Sequence, residues 1–127
     1  MKQKAKQPAE PLTPAEARQA LYNALSLARK AGKLVMGYDA VVDAVMTGKA
    51  NAVWLAADIS PKTAARLQGT VEGLARVETL PLTQDDLAPV SRKPVAVYAV
   101  ADGNLSRLCE TKRKQCMNLM MKEEVSE

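Results

Sequence analysis

Two runs of apolar residues, 52–57 and 95–101, carry no alternation of polar and apolar side chains. A strand with one wet face alternates with a period of two, so an unbroken run of this kind reads as a strand covered on both faces. Strands of that type need helices above and below them, and the sequence around them supplies candidates. Thr13-Pro14-Ala15-Glu16 is a capping box with proline at the first helical position. It is followed by Ala17, Leu21, Ala24, Leu25 and Ala28 at helical spacing, and then by Gly32, which suits a left-handed helix end. Leu34-Val35-Met36 is a short extended piece. Gly37 opens a second helix with Val41, Val42, Val45 and Met46 inward and Gly48 as its stop. Ser60-Pro61 opens a third helix carrying Ala64, Leu67, Val71 and Leu74, and residues 77–82 read as a further strand. Thr83-Gln84-Asp85-Asp86 opens a short helix around 85–88, and Asn104 is placed to cap a last helix with Leu105, Leu108 and Cys109. Helices alternating with doubly covered strands predict an α/β fold, a three-layer α/β/α sandwich on a small mixed sheet. Past Glu110 the sequence fits either a prolonged helix or a tail.

Several function classes fall on composition. At 127 residues one domain is expected. There is no His, which removes the usual general base, the Ser/His and Cys/His pairs and the His-containing metal sites. There is no Phe, and only 3% of residues are aromatic, too few for a base-stacking strand surface. Cys109 and Cys116 are seven residues apart, about 10 Å along a helix, beyond the reach of a disulfide, so both are expected as reduced, apolar fillers. Gly32-Lys33 and Gly48-Lys49 lack the earlier glycine and the hydroxyl of a phosphate-binding P-loop. Asp58 is expected to cap the turn before Ser60-Pro61. Asp86 fits a capping role and Asp85 a solvated position. No enzyme, cofactor or metal is expected, and a cytoplasmic monomer is.

What remains is basic. Arg29, Lys30 and Lys33 place three cations around one glycine turn, just before the start of a helix at Gly37. Free N–H groups and the positive end of the helix dipole attract phosphate at such a start. Arg92-Lys93 precede the run at 95–101. The formal charge of +4 permits an anionic partner.

The run Leu25-Ser26-Leu27-Ala28-Arg29-Lys30-Ala31-Gly32-Lys33-Leu34-Val35-Met36-Gly37 resembles the opening of the ribosomal protein L7Ae family, especially its small bacterial members. The likeness continues through the helix at 41–46, Gly48-Lys49-Ala50, the strand at 52–57, Asp58, Ser60, Leu87, and the strand at 95–101 with Asp102, covering roughly residues 17–108. This resemblance implies an α/β/α sandwich that binds structured RNA, typically a kink-turn, as a ribosomal or ribonucleoprotein component and not as an enzyme. In RNA-binding members the glycine is followed by an Asn-Glu pair and, three residues on, a Lys. The matching positions here are Gly37, Tyr38, Asp39, Ala40 and Asp43, and only the glycine is kept. An ionised Asp offers acceptors only, where Asn offers a donor as well, and Asp43 puts a negative charge where a phosphate contact wants a positive one. Arg92-Lys93 fall on the family's loop that contacts an extruded nucleotide.

The expected organisation is a basic tail over 1–12, an RNA-binding domain over 13–108 and a helical extension or tail over 109–127. The expected RNA site is Lys30, Lys33, Gly37, Tyr38, Asp39, Arg92 and Lys93, serving translation or ribosome biogenesis. The substitutions at Asp39, Ala40 and Asp43 also admit a protein-interaction module that kept the fold and lost the RNA site; Met117–Met121 is then either its surface or the apolar side of a terminal helix packed on its own domain.

Overall fold

The computed structural model describes residues 13–125; the expected tail at 1–12 lies outside them. Helix α1 (Pro14–Lys30) begins at the capping box of Thr13 and Glu16 and ends at Gly32, whose φ of 73° closes it in the left-handed region. There follow β1 (Leu34–Met36), α2 (Tyr38–Met46), β2 (Ala52–Leu55), α3 (Pro61–Val71), β3 (Arg76–Thr79), α4 (Gln84–Ser91), β4 (Val97–Val100) and α5 (Gly103–Val125). The sheet order is β1-β4-β2-β3. β4 runs antiparallel to both neighbours, and β2 and β3 are parallel.

The two continuous apolar runs are the two central strands, and every residue of β2 and β4 is buried. Alternate side chains serve opposite layers. Ala52, Trp54, Tyr98 and Val100 face Leu21, Leu25, Leu87 and Cys109 of α1, α4 and α5. Val53, Leu55, Val97 and Ala99 face Val41, Val45, Leu67 and Val71 of α2 and α3. Each large apolar side chain fully removed from water contributes about 1.5–3 kcal/mol, so both layers have a driving force of their own. The chain is the three-layer sandwich on a mixed sheet that the pattern predicts.

The differences have local causes. β4 starts at Val97 rather than at residue 95, because its ladder partners end there: β1 pairs only with Tyr98–Val100, and Leu55, the last residue of β2, pairs with Val97. Val95 is still buried, but in the core beside Leu87 instead of in the ladder. β3 stops at Thr79; beyond it the backbone still bonds to β2 and its exit, from Leu80 N to Leu55 O at 2.8 Å and from Ala57 N to Leu82 O at 2.8 Å, around Pro81. α4 is longer than expected and runs through Pro89 to Ser91. Asp58 does not cap its own turn: its carboxylate accepts from Gln84 N at 3.0 Å and fixes the start of α4. Asp102, not Asn104, caps the last helix, accepting from Leu105 N at 2.9 Å. α5 is continuous past Glu110, with Cys109 and Cys116 both buried as free thiols and lying against the α1 side of the sandwich.

Because β4 is antiparallel to β1 and β2, the sheet has two chemically distinct ends. Gly37, Leu55 and Val97 lie at one; Lys33, Asn51, Arg76 and Ala101 lie at the other.

Candidate functional site

At the first end, Gly37 is the N-cap of α2 with φ 100° and ψ 151°, a backbone conformation that side chains with a Cβ rarely adopt. Its N–H donates to Val97 O at 2.9 Å, which welds the entry of α2 to the start of β4. No side chain caps the helix, so the first-turn N–H groups of Tyr38, Asp39 and Ala40 are open to a ligand. Asp39 and Asp43 are exposed, with Asp39 in that first turn.

Tyr38 does not project freely. The Arg66 guanidinium lies over its ring at 4.8 Å, and its hydroxyl is 3.2 Å from Thr70 Oγ1 and 3.5 Å from Arg66 Nε. Hydrogen bonds with Thr70 and then Arg66 draw the phenol's pKa below its ordinary value. The ring therefore ties α2 to α3 and brings Arg66, a cation absent from the expected site, to the entry of α2. Arg66 and Thr70 sit four apart on α3, as any helical reading shows. That α3 lies beside α2 follows only from the sheet order.

A second part of this region forms between α1 and α4. The Arg29 guanidinium donates through Nη1 to Val90 O, and Ser26, Lys30, Pro89 and Arg92 complete a cleft of about 350 Å³. Arg92 closes α4 with φ 70°, a left-handed conformation that costs a non-glycine residue about 1–2 kcal/mol. Its N–H returns to Ala88 O at 2.6 Å, and Ser91 Oγ donates to Lys93 O, so the exit of α4 is bonded on both sides of Arg92. Residues 92–96 then run from that cleft to Val97, the residue that holds Gly37. Lys30, Arg92 and Lys93 are exposed. Among the described residues, the only ion pairs within 4 Å involve Arg113, so none of these three cations is neutralised by a carboxylate at that distance.

Lys33 departs from the expected cluster. Its N–H donates to Ala28 O at 2.9 Å and its carbonyl accepts from Ala101 N at 2.8 Å, beyond the C-terminal end of β4. Gly37 and the loop carrying Lys93 lie at the other end of that strand, about 13 Å away along β1 at the usual strand rise. Closeness in sequence misleads here because β1 is extended. Of the expected residues, the structure thus joins Lys30 to Arg92, connects Lys93 to Gly37 through Val97, turns Tyr38 onto α3, leaves Asp39 exposed, and sets Lys33 apart.

Among the described residues, no group of three or more His, Cys, Asp or Glu is placed to hold a metal ion, and no helix is long and apolar enough to cross a membrane.

The model of the "Ribosomal protein L7Ae/L30e/S12e/Gadd45 family" matches residues 19–127. No curated protein matches the chain. A solved structure of a Bacillus halodurans protein of unknown function is 25% identical, with a TM-score of 0.67, covering 74% of this chain and 96% of that one. The structure of the 15.5kD RNA-binding protein of Giardia lamblia shares the fold at 18% identity and a TM-score of 0.63, covering 82% of this chain and 90% of that one.

Proposed function

Because the chain belongs to the ribosomal protein L7Ae/L30e/S12e/Gadd45 family, we propose that it is a non-enzymatic RNA-binding protein that grips structured, kink-turn-like RNA in translation or ribosome biogenesis. One observation carries the reading: an uncapped helix start at Gly37 is bonded directly to the strand fed by the Arg92–Lys93 loop, whose cations have no carboxylate within 4 Å among the described residues. Backbone N–H groups at the entry of α2 donate to a phosphate, and Arg92, Lys93 and Lys30 meet the flanking backbone. That the similar Giardia lamblia protein is described as RNA-binding agrees with this.

Tyr38, Asp39, Ala40 and Asp43 change what the site reads. With Tyr38 turned onto Thr70 and Arg66, and Asp39 restricted to accepting hydrogen bonds, base readout by an Asn-Glu pair has no counterpart here. Recognition then rests on backbone shape and charge. Titration of the full chain with a kink-turn RNA and a matched plain duplex at two salt concentrations tests this. Binding that prefers the kinked RNA and weakens with salt at a log–log slope of about −2 to −3 is expected from three phosphate contacts. Absence of binding to either RNA overturns the reading and favours a protein partner for the exposed Asp39 and Asp43 surface.

A further inference from the structure

The opposite end of the sheet holds a second basic surface. β2 and β3 start side by side there, with Arg76 N donating to Asn51 O at 3.1 Å, and α5 begins beside them at Gly103. Between them lies a cleft of about 320 Å³ lined by Asn51, Arg76, Ser106, Arg107, Glu110 and Lys114 among others. Its one carboxylate among the described residues, Glu110, is already engaged: Oε1 accepts from Trp54 Nε1 at 2.9 Å and from Arg113 Nε at 3.0 Å, and Oε2 from Arg113 Nη2 at 2.8 Å. Among the described residues, Arg76, Arg107 and Lys114 have no carboxylate within 4 Å. Arg107 is steadied by Asn104, whose side-chain oxygen accepts from Nη1 at 3.2 Å, which leaves the rest of the guanidinium fork unused by that bond. The backbones of Lys33, bonded to Ala101, and Lys49, in the turn before Asn51, bring two more exposed cations to the same end.

The lining selects the ligand class. Among the described residues no apolar side chain lines the cleft, so it suits neither an acyl chain nor an apolar anchor of a protein. Arg107 and Lys114 are seven residues apart on one helix, about 10 Å along its axis, and both line the cleft, so its cations are strung out as the charges of a polyanion are. The Asn51 amide and the Ser106 and Thr111 hydroxyls supply both donors and acceptors, as a ribose 2′-OH requires. We propose that this cleft is a second RNA-contact surface that takes the sugar–phosphate backbone without regard to sequence. The chain then bridges two RNA segments, one at each end of its sheet.

The test is a backbone-amide NMR titration of the isotope-labelled full chain with a plain RNA duplex at low salt, alongside affinity measurements over a salt series. The variants are Arg76→Gln/Arg107→Gln/Lys114→Gln and, separately, Arg92→Gln/Lys93→Gln, each checked for unchanged thermal unfolding. Shifts at Asn51, Arg76, Ser106 and Lys114 are expected. So is a loss of about tenfold or more in duplex affinity for the triple variant, with a salt slope shallower by about 2–3. Shifts confined to Gly37 and the 92–96 loop, with the triple variant binding as tightly as the parent, overturn the second surface and leave the first site standing. Shifts confined to the cleft support the second surface and count against the first. No shift at either end overturns both.

Discussion

The indole N–H of Trp54, on a central strand, donates to the carboxylate of Glu110 on α5 at 2.9 Å, and Trp54 is fully buried. Arg113 grips the same carboxylate through Nε and Nη2, then reaches Thr79 O at 3.3 Å and Glu78 Oε1 at 3.6 Å on β3. One side-chain chain thus pins α5 across β2 and β3. Removing one partner of a buried pair leaves the other charge uncompensated, at about 3–5 kcal/mol. Arg113→Met is therefore expected to be the most damaging change in this group. Trp54→Phe keeps Glu110 paired with Arg113 and costs less, about 1–3 kcal/mol for the lost hydrogen bond and the small void. Urea denaturation followed by far-UV circular dichroism gives the order; equal losses for the two variants would contradict it.

The same carboxylate sets a pH dependence. Burial pushes the Glu110 pKa up, but hydrogen bonds from Arg113 and Trp54 and the charges of Arg113 and Arg76 outweigh it, so the group stays below its ordinary value. A carboxylate with a depressed folded pKa contributes stability that is fully present above the unfolded pKa, about 4.3, and is lost as pH falls through the folded value. Stability should decline on the acid side of that point. Glu110→Gln should be less stable at neutral pH and show a flatter acid limb. An acid limb of unchanged steepness in that variant would place the dependence on other carboxylates.

The strands, the helices and the first cap were legible because period, capping residues and glycine act locally. Thr13 with Glu16 and Thr83 with Asp86 both form capping boxes, and Gly32 takes the left-handed conformation its place suggests. What escaped was relational. Asp58 caps a helix that starts 26 residues later, and Arg29 reaches a carbonyl 61 residues away. Arg66 comes to the entry of α2 only because α2 and α3 share a face of the sheet. No local pattern encodes such pairings; they follow from which strands neighbour which. The same holds for Lys33, which local spacing joins to Gly37 and the sheet register separates from it.

Gly37 and Gly69 should respond oppositely to alanine. Neither has an atom within 4 Å of an added Cβ, so packing does not distinguish them. Gly37 sits at φ 100° and ψ 151°, and alanine there is expected to cost about 1–3 kcal/mol in backbone strain. Gly69 lies within α3 and is exposed, and alanine there should stabilise by about 0.5–1 kcal/mol through helix propensity. Thermal melts of the two single variants measure both. A stabilised Gly37→Ala would mean that the entry of α2 relaxes out of its observed conformation.

The register across β4 divides the cations expected at the proposed RNA site. Lys93 lies in the loop that feeds Val97, whose carbonyl holds Gly37, while Lys33 is bonded to Ala101 at the far end. Each cation in contact with phosphate contributes about one unit of salt slope, and an exposed charge well outside that contact is screened over a Debye length of about 8–10 Å. For an RNA held at Gly37, Lys93→Gln should make the slope shallower by about 0.7–0.9 and weaken binding severalfold. Lys33→Gln should leave both nearly unchanged at physiological salt. A kink-turn RNA titrated against the two single variants decides it. Equal losses would mean that the kink-turn RNA also engages the cations at the far end of the sheet, Lys33 among them, and would count against a site confined to the entry of α2.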